Sequence, residues 1–214
     1  MTLAEAPFVH LAFVSLHMVV GHFGSALLHF VRFGRNPLVL YRASGTKHAN
    51  ATRAMASLSV VWASALVGSA FSPWLTHSLL GCALFSVPSV ASFGLASLGL
   101  VLMAVSQASM GRAFRVGQHE RDAPEALRTD GVHRCSRNPI YVGSWLALLG
   151  MSLFHPSVLV LGLLVLLAGG IHALVLAEET FLLERFGSEY RAYAERTPRY
   201  VGVPRSARKQ GVSS

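Results

Sequence analysis

Two stretches of this chain hold residue types that could do chemistry together. The first runs from Gly131 to Gly143 and contains His133, Arg137, Asn138, Pro139 and Tyr141; the second runs from the acid pair Glu178 and Glu179 to Arg199. Asn138, then Pro139, then an apolar run spell a helix start, with Asn138 at the N-cap and Pro139 at the first helical position, where no amide hydrogen is needed. The free amides and positive dipole end of that helix, beside Arg137, make an anion site. Gly143, one turn in, lets another group approach the backbone closely. Glu178 and Glu179 supply the opposite charge. A cationic, amide-rich wall facing an acidic wall suits a zwitterionic ligand, and the aromatics after the acids, Tyr190 and Tyr193, could cover it. A plainer reading stands beside this one, in which the acids end a membrane helix and the aromatics form an interfacial belt.

The elements that must position these residues follow from composition and charge. The chain has 214 residues, 52% of them hydrophobic and 13% charged, with mean hydropathy +0.48. A soluble domain carries about 25% charged residues, so a soluble globule is excluded, as is disorder. Five apolar runs, Phe8 to Val31, Ala54 to Phe71, Ala91 to Met110, Ile140 to Phe154 and Val158 to Ala177, contain no Lys, Arg, Asp or Glu. None alternates as a barrel strand would. The expectation is an all-α integral membrane protein with five transmembrane helices.

All eighteen Lys and Arg fall in three segments, after the first, third and fifth runs. By the positive-inside rule this places the N-terminus outside and the C-terminus in the cytosol, of an endoplasmic reticulum or bacterial inner membrane. The net charge of +8 is therefore read as topology and contact with anionic lipid, with no nucleic-acid partner. Pro73 to Pro88 is read as an extracytosolic or re-entrant connection. The first run lacks the basic start of a signal peptide and is expected to be retained. Cys82 and Cys135 fall on opposite sides in this topology, which excludes a disulfide between them.

Between the third and fourth runs lies a 28-residue connection, Gly111 to Asn138. The fourth run has only 15 residues, about 22 Å of helix, so the Arg137 region is expected to dip below the cytosolic interface. After Ala177 an amphipathic helix with Leu182, Phe186, Tyr190 and Tyr193 on one side is expected to lie over it. This divides the chain into membrane helices at 1–110, a catalytic core at 111–204 and a basic tail at 205–214.

The pattern G-x-x-R-x-x-R-N-P-x-Y-x-G from Gly131 to Gly143, followed by E-E-x-x-L-x-x-x-F-G-x-x-Y-x-x-Y-x-x-x-x-P-R from Glu178 to Arg199, resembles the isoprenylcysteine carboxyl methyltransferase and phospholipid methyltransferase superfamily. The match covers roughly the last 90 residues. It implies a cytosolic pocket for S-adenosylmethionine with contacts from Gly131, His133, Arg137, Asn138, Pro139, Tyr141, Gly143, Glu178, Glu179, Tyr190 and Tyr193. Glu179 and Arg199 are the candidate catalytic residues: Glu179 for the cofactor's positive charge, Arg199 to orient an anionic acceptor. The chain departs from the family pattern at Val132 and His133, where Pro and Tyr are usual, and at Asn138, where His is usual. Asn cannot titrate near neutrality, so a proton-transfer role at that position is in doubt.

Methyl transfer from a sulfonium is an in-line displacement, in which alignment and charge placement do most of the work. The acceptor is expected to be lipophilic or small, and preferably a carboxylate such as prenylcysteine, which needs no general base. Two rival readings remain: a nicotinamide-dependent sterol-type membrane reductase, and a haem- or metal-binding membrane protein prompted by His10, His17, His22 and His29, with His172 as the only partner within another run. No Cys or His spacing suggests a zinc site, and no metal is assigned.

Overall fold

The computed structural model describes residues 47–71, 82–85, 87–110 and 126–202, together with the single positions 12, 15, 16, 30, 31 and 34. Most of the first apolar run, most of 73–88 and the basic tail lie outside these residues. Four helices are described: α1 (Lys47–Phe71), α2 (Ser89–Met110), α3 (Pro139–Ser152) and α4 (Val158–Arg196), with a 3-10 turn at Gly131–Arg134. No β-strand occurs among the described residues. An isolated antiparallel bridge joins Ala83 to Ser157, and Leu84 N donates to Pro156 O at 2.9 Å, which pins the approach to α2 against the α3–α4 turn.

Val90–Met110 and Val158–Arg196 are long and apolar enough to cross a membrane, whereas Arg53–Gly68 and Pro139–Ser152 are shorter apolar helices. Large apolar side chains point outward along the longer two, among them Val90, Val101, Val165 and Leu166. Such a surface suits lipid tails as its solvent. Where the sequence starts a helix at Ala54, α1 begins at Lys47 and carries Arg53 on its first turns.

Lipid tails are as apolar as Leu, so packing between helices in such an environment comes from close approach rather than from hydrophobic burial. α2 and α3 achieve it with small residues. A Cβ built on Gly99 would lie 2.6 Å from Gly143 O, one on Gly143 2.8 Å from Gly99 O, and one on Gly150 2.8 Å from Ser92 O. The backbones are therefore in contact along Ser92, Ala96, Gly99 and Met103 of α2 and Gly143, Ala147 and Gly150 of α3. The close approach that Gly143 permits is thus made by α2, not by a ligand, because the neighbouring helix already fills that space. α1 joins through Trp62, whose Nε1 donates to Ser152 Oγ at 3.0 Å inside a core that also holds Leu66, Met151, Leu167 and Ile171.

α4 opens on Ser157, whose hydroxyl accepts from Val160 N, and continues without interruption past Glu178 and Glu179. The sequence leads one to expect an amphipathic helix with Leu182, Phe186, Tyr190 and Tyr193 on one side. Instead, Gly187 breaks the helix with φ 51° and ψ −117°, between Phe186 and Tyr190. A Cβ is disfavoured at this φ, so glycine is the residue that can turn the chain there. The last two turns leave the line of the membrane helix, and Tyr190 and Tyr193 become buried while Leu182 and Phe186 remain half-buried.

Gly150→Ala is expected to destabilise the fold by about 1–3 kcal/mol through overpacking against α2. Gly169→Ala, where nothing lies within 4 Å, should stay within about 1 kcal/mol of the parent. Thermal unfolding in detergent of both variants checks the contrast.

Candidate functional site

The site is assembled where the chain enters α3. Gly131, at φ 56°, starts the 3-10 turn, which carries His133 inward, and Ser136 closes it by donating its backbone N–H to Val132 O. Asn138 stands at the N-cap with Pro139 at the next position, as its sequence context suggests, but its side chain makes no cap hydrogen bond. That side chain is engaged elsewhere. Asn138 Nδ2 donates to Glu179 Oε1 at 3.0 Å and to Arg199 O at 3.2 Å, while Ser136 Oγ accepts from Asn138 N at 3.0 Å.

Arg137 is the centre of the arrangement. Its Nε and Nη2 donate to Glu179 Oε1 and Oε2 at 3.0 and 3.2 Å, a bidentate pair with side chains only 12% and 10% exposed. Its Nη1 donates to Ala194 O and Thr197 O, carbonyls at the end of α4, and its backbone N donates to Pro198 O. A cation on those carbonyls also complements the helix dipole. Arg199 reaches the same acid from the exposed side, with Nε 2.9 Å from Glu179 Oε2, and this hydrogen bond holds its guanidinium pKa above the ordinary value. Glu179 therefore receives two donors on each oxygen, from Arg137 and Asn138 on one and from Arg137 and Arg199 on the other. A carboxylate offers about four acceptor positions, and all are filled.

The adjacent acid is separately engaged: Glu178 Oε2 accepts from the Tyr141 hydroxyl at 2.9 Å. The sequence leads one to expect a cationic wall and an acidic wall facing each other across a gap. The structure closes Arg137 directly onto Glu179, because a buried guanidinium and carboxylate without one another would each be an uncompensated charge.

The residues after Gly187 roof this cluster. Tyr193 donates its hydroxyl to His133 O at 2.7 Å, and its ring meets that of Tyr190 edge-on, with centroids 6.1 Å apart. Two buried polar atoms here have no hydrogen-bond partner among the described residues: the Tyr190 hydroxyl and His133 Nε2. Burial lowers the His133 pKa below its ordinary 6.5. Of the residues singled out from sequence, Arg137, Asn138, Glu179, Arg199 and, through Tyr193, His133 are tied together by direct hydrogen bonds. Tyr141 and Glu178 form a neighbouring pair, and Gly143 faces α2. Sequence reasoning missed Ser136, Thr197 and Tyr200; the position of Tyr200 directly after Arg199 was the available signal. Among the described residues no group of three or more His, Cys, Asp or Glu could hold a metal ion. His10, His17, His22 and His29 lie outside those residues.

The model of the phospholipid methyltransferase family matches residues 87–189. Protein-S-isoprenylcysteine O-methyltransferase of Schizosaccharomyces pombe is 28% identical over 125 residues, which cover 56% of this chain and 51% of that protein. Over these residues the chain is similar to methyltransferases of this superfamily. The family segment takes in α2, the Arg137 loop, α3 and most of α4, including Glu178 and Glu179, and stops just before Tyr190. Tyr190, Tyr193 and Arg199 are thus joined to the matched segment by the contacts described above. The chain spans about half the length of the curated relative it matches, and no solved structure matches it.

Arg137→Ala takes from Glu179 its buried bidentate partner and is expected to cost about 3 kcal/mol of stability. Arg199→Ala, which removes a side chain 39% exposed, should cost no more than about 1 kcal/mol; chemical denaturation of the two variants measures the difference. His133 adds a pH signature. Its folded pKa lies below its unfolded value of 6.5, so the unfolded chain takes up the proton first and stability falls as pH drops below 6.5. His133→Gln should flatten that part of the stability–pH curve relative to the parent.

Proposed function

We propose that this chain is an S-adenosylmethionine-dependent membrane methyltransferase, acting on a lipophilic acceptor that ends in a carboxylate, as prenylcysteine does. The observation that carries the reading is the orphaned buried hydroxyl of Tyr190, beside a cluster of two guanidinium and two carboxylate groups. A buried polar atom without a partner costs about 1–3 kcal/mol. Its retention at Tyr190 fits a polar ligand that completes it, and the mixed charges fit a zwitterionic amino acid moiety.

When bound, S-adenosylmethionine supplies a methyl carbon attached to positively charged sulfur. The residues of the chain bind, orient and exclude water. Arg137, fixed by Glu179 and by the end of α4, holds positive charge for a carboxylate, and Tyr190 donates or accepts from beneath the roof. Glu179 has no acceptor position free while Arg199 is attached, so its contact with a cofactor cation requires Arg199 to turn outward. Arg199 is the partner able to do so, being the more exposed of the two arginines. Turned outward, it presents its charge to an anionic acceptor. A carboxylate is nucleophilic without losing a proton, which suits a site where Asn138 stands in place of a titratable side chain.

We extend the reading to topology: five spans, with the N-terminus extracytosolic and the charged cluster at the cytosolic boundary, supported by the placement of all Lys and Arg. The acceptor then arrives from the bilayer and the cofactor from water.

Isothermal calorimetry on the purified protein should show binding of S-adenosylmethionine and none of NADPH; the reverse result would sink the proposal. Tyr190→Phe separates ligand binding from folding. Removing an unsatisfied hydroxyl should leave the ligand-free protein at least as stable, while S-adenosylmethionine affinity falls about tenfold. Loss of stability with unchanged affinity would give Tyr190 a structural role instead.

A further inference from the structure

Successive residues before α3 hold successive carbonyls after α4. Arg137 Nη1 donates to Thr197 O at 3.3 Å and Arg137 N to Pro198 O at 3.0 Å, while Asn138 Nδ2 and Ser136 Oγ donate to Arg199 O at 3.2 and 3.4 Å. Beyond Arg199 the Tyr200 ring lies 4.5 Å from that of Trp145 on α3. Gly202 then folds back so closely that a Cβ on it would stand 2.9 Å from Pro198 Cγ. The chain is therefore anchored on both sides of Arg199, and the Arg199 carbonyl itself is held twice.

The directions of these bonds follow from their partners. Arg199 O and the Glu179 carboxylate only accept, so both face the amide nitrogen of Asn138 and use its two hydrogens. Ser136 Oγ already accepts from Asn138 N at 3.0 Å, which leaves its one hydrogen for Arg199 O. A neutral imidazole at position 138 would carry one N–H and could not serve Glu179 and Arg199 O together. Ser136 and Asn138 are each only 6% exposed, so water does not replace a bond lost there. The Arg199 side chain is held differently: it is 39% exposed, and among the described residues its guanidinium bonds to Glu179. A main chain tied at several points and a side chain tied to one acid leave one motion of low cost, a swing of the guanidinium about a stationary carbonyl.

We propose that Ser136 is a positioning residue: with the Asn138 amide it clamps the Arg199 main chain, so that Arg199 leaves Glu179 by pivoting its side chain rather than by lifting the segment after α4. What Arg199 meets when it pivots rests on the methyltransferase reading above; the clamp itself does not. Ser136 touches no ligand. It acts through Arg199, by fixing the point from which the guanidinium reaches either Glu179 or an anion.

The test uses the full chain in phosphatidylcholine nanodiscs with isotope-labelled arginine, the Arg199 Nε–H resonance being identified by its loss in Arg199→Lys. In the ligand-free parent this hydrogen should exchange slowly with water, as one bonded to Glu179 must. Ser136→Ala should speed its exchange about tenfold, the worth of one hydrogen bond, and leave the Arg137 Nε–H resonance and the melting temperature unchanged. Ser136→Thr, which keeps the hydroxyl, should restore the parent rate. With S-adenosylmethionine and N-acetyl-S-farnesylcysteine as probes, Ser136→Ala should lower kcat about tenfold through misalignment of Arg199, while the dissociation constant of S-adenosylmethionine stays within about twofold. Unchanged exchange at Arg199, unchanged kcat, or equal loosening of Arg137 with a fall in melting temperature overturns the proposal. If Ser136→Thr does not fold, the contrast between Arg199 and Arg137 in Ser136→Ala decides. A parent that binds no S-adenosylmethionine, or methylates no probe, overturns the methyltransferase reading or its acceptor instead, and the ligand-free exchange rates still decide the clamp.

Discussion

The charged end of this molecule is organised around one buried carboxylate. Glu179 lies on α4, and its four acceptor positions are taken by donors from three places: Arg137 before α3, Asn138 at its first turn, and Arg199 beyond α4. Arg137 in turn ties the end of α4 through Ala194 and Thr197. A charge this deep must be compensated, and the compensation dictates that the 3-10 turn, the start of α3 and the return of the chain after Arg196 meet at one point. The helix pair α3 and α4 is thus closed at its charged end by electrostatics and hydrogen bonding.

Away from that end a different force acts. α2 and α3 touch backbone to backbone through Gly99, Gly143 and Gly150, because dispersion between closely set helices is what remains when the surrounding solvent is itself apolar. Gly187 connects the two regimes. It ends the straight course of α4 and redirects Ser188–Arg196 so that two tyrosines roof the cluster rather than continue a membrane-facing stripe.

The same geometry explains how a saturated salt-bridge network can still serve a ligand. Arg137 and Asn138 are locked by several bonds each, so they form a rigid floor. Arg199 is held by one acid and is the more exposed of the two arginines, which makes it the movable member. The chain beyond it, through Tyr200, reaches the apolar side at His172 and Trp145. A short segment therefore links the charged cluster to the apolar stretch of α4.

The sequence by itself determined the helical class, the positions of α2, α3 and the start of α4, and the residues from which the charged cluster is built. These are set by local physics: apolar runs of given length, an Asn-Pro start, and acids and bases at stated spacings. It could not say that the two walls of opposite charge collapse onto each other, since Arg137 and Glu179 are 42 positions apart and their contact depends on how α3 packs on α4. Nor did it say that α2 would occupy the space beside Gly143, that the Asn138 side chain would leave its cap for Glu179, or that Tyr200 would cross to His172. A glycine reads the same whether a ligand or a helix approaches it, and a capping residue reads the same whether its side chain turns inward or onto the backbone. Only the packing of helices distant in sequence chooses between them.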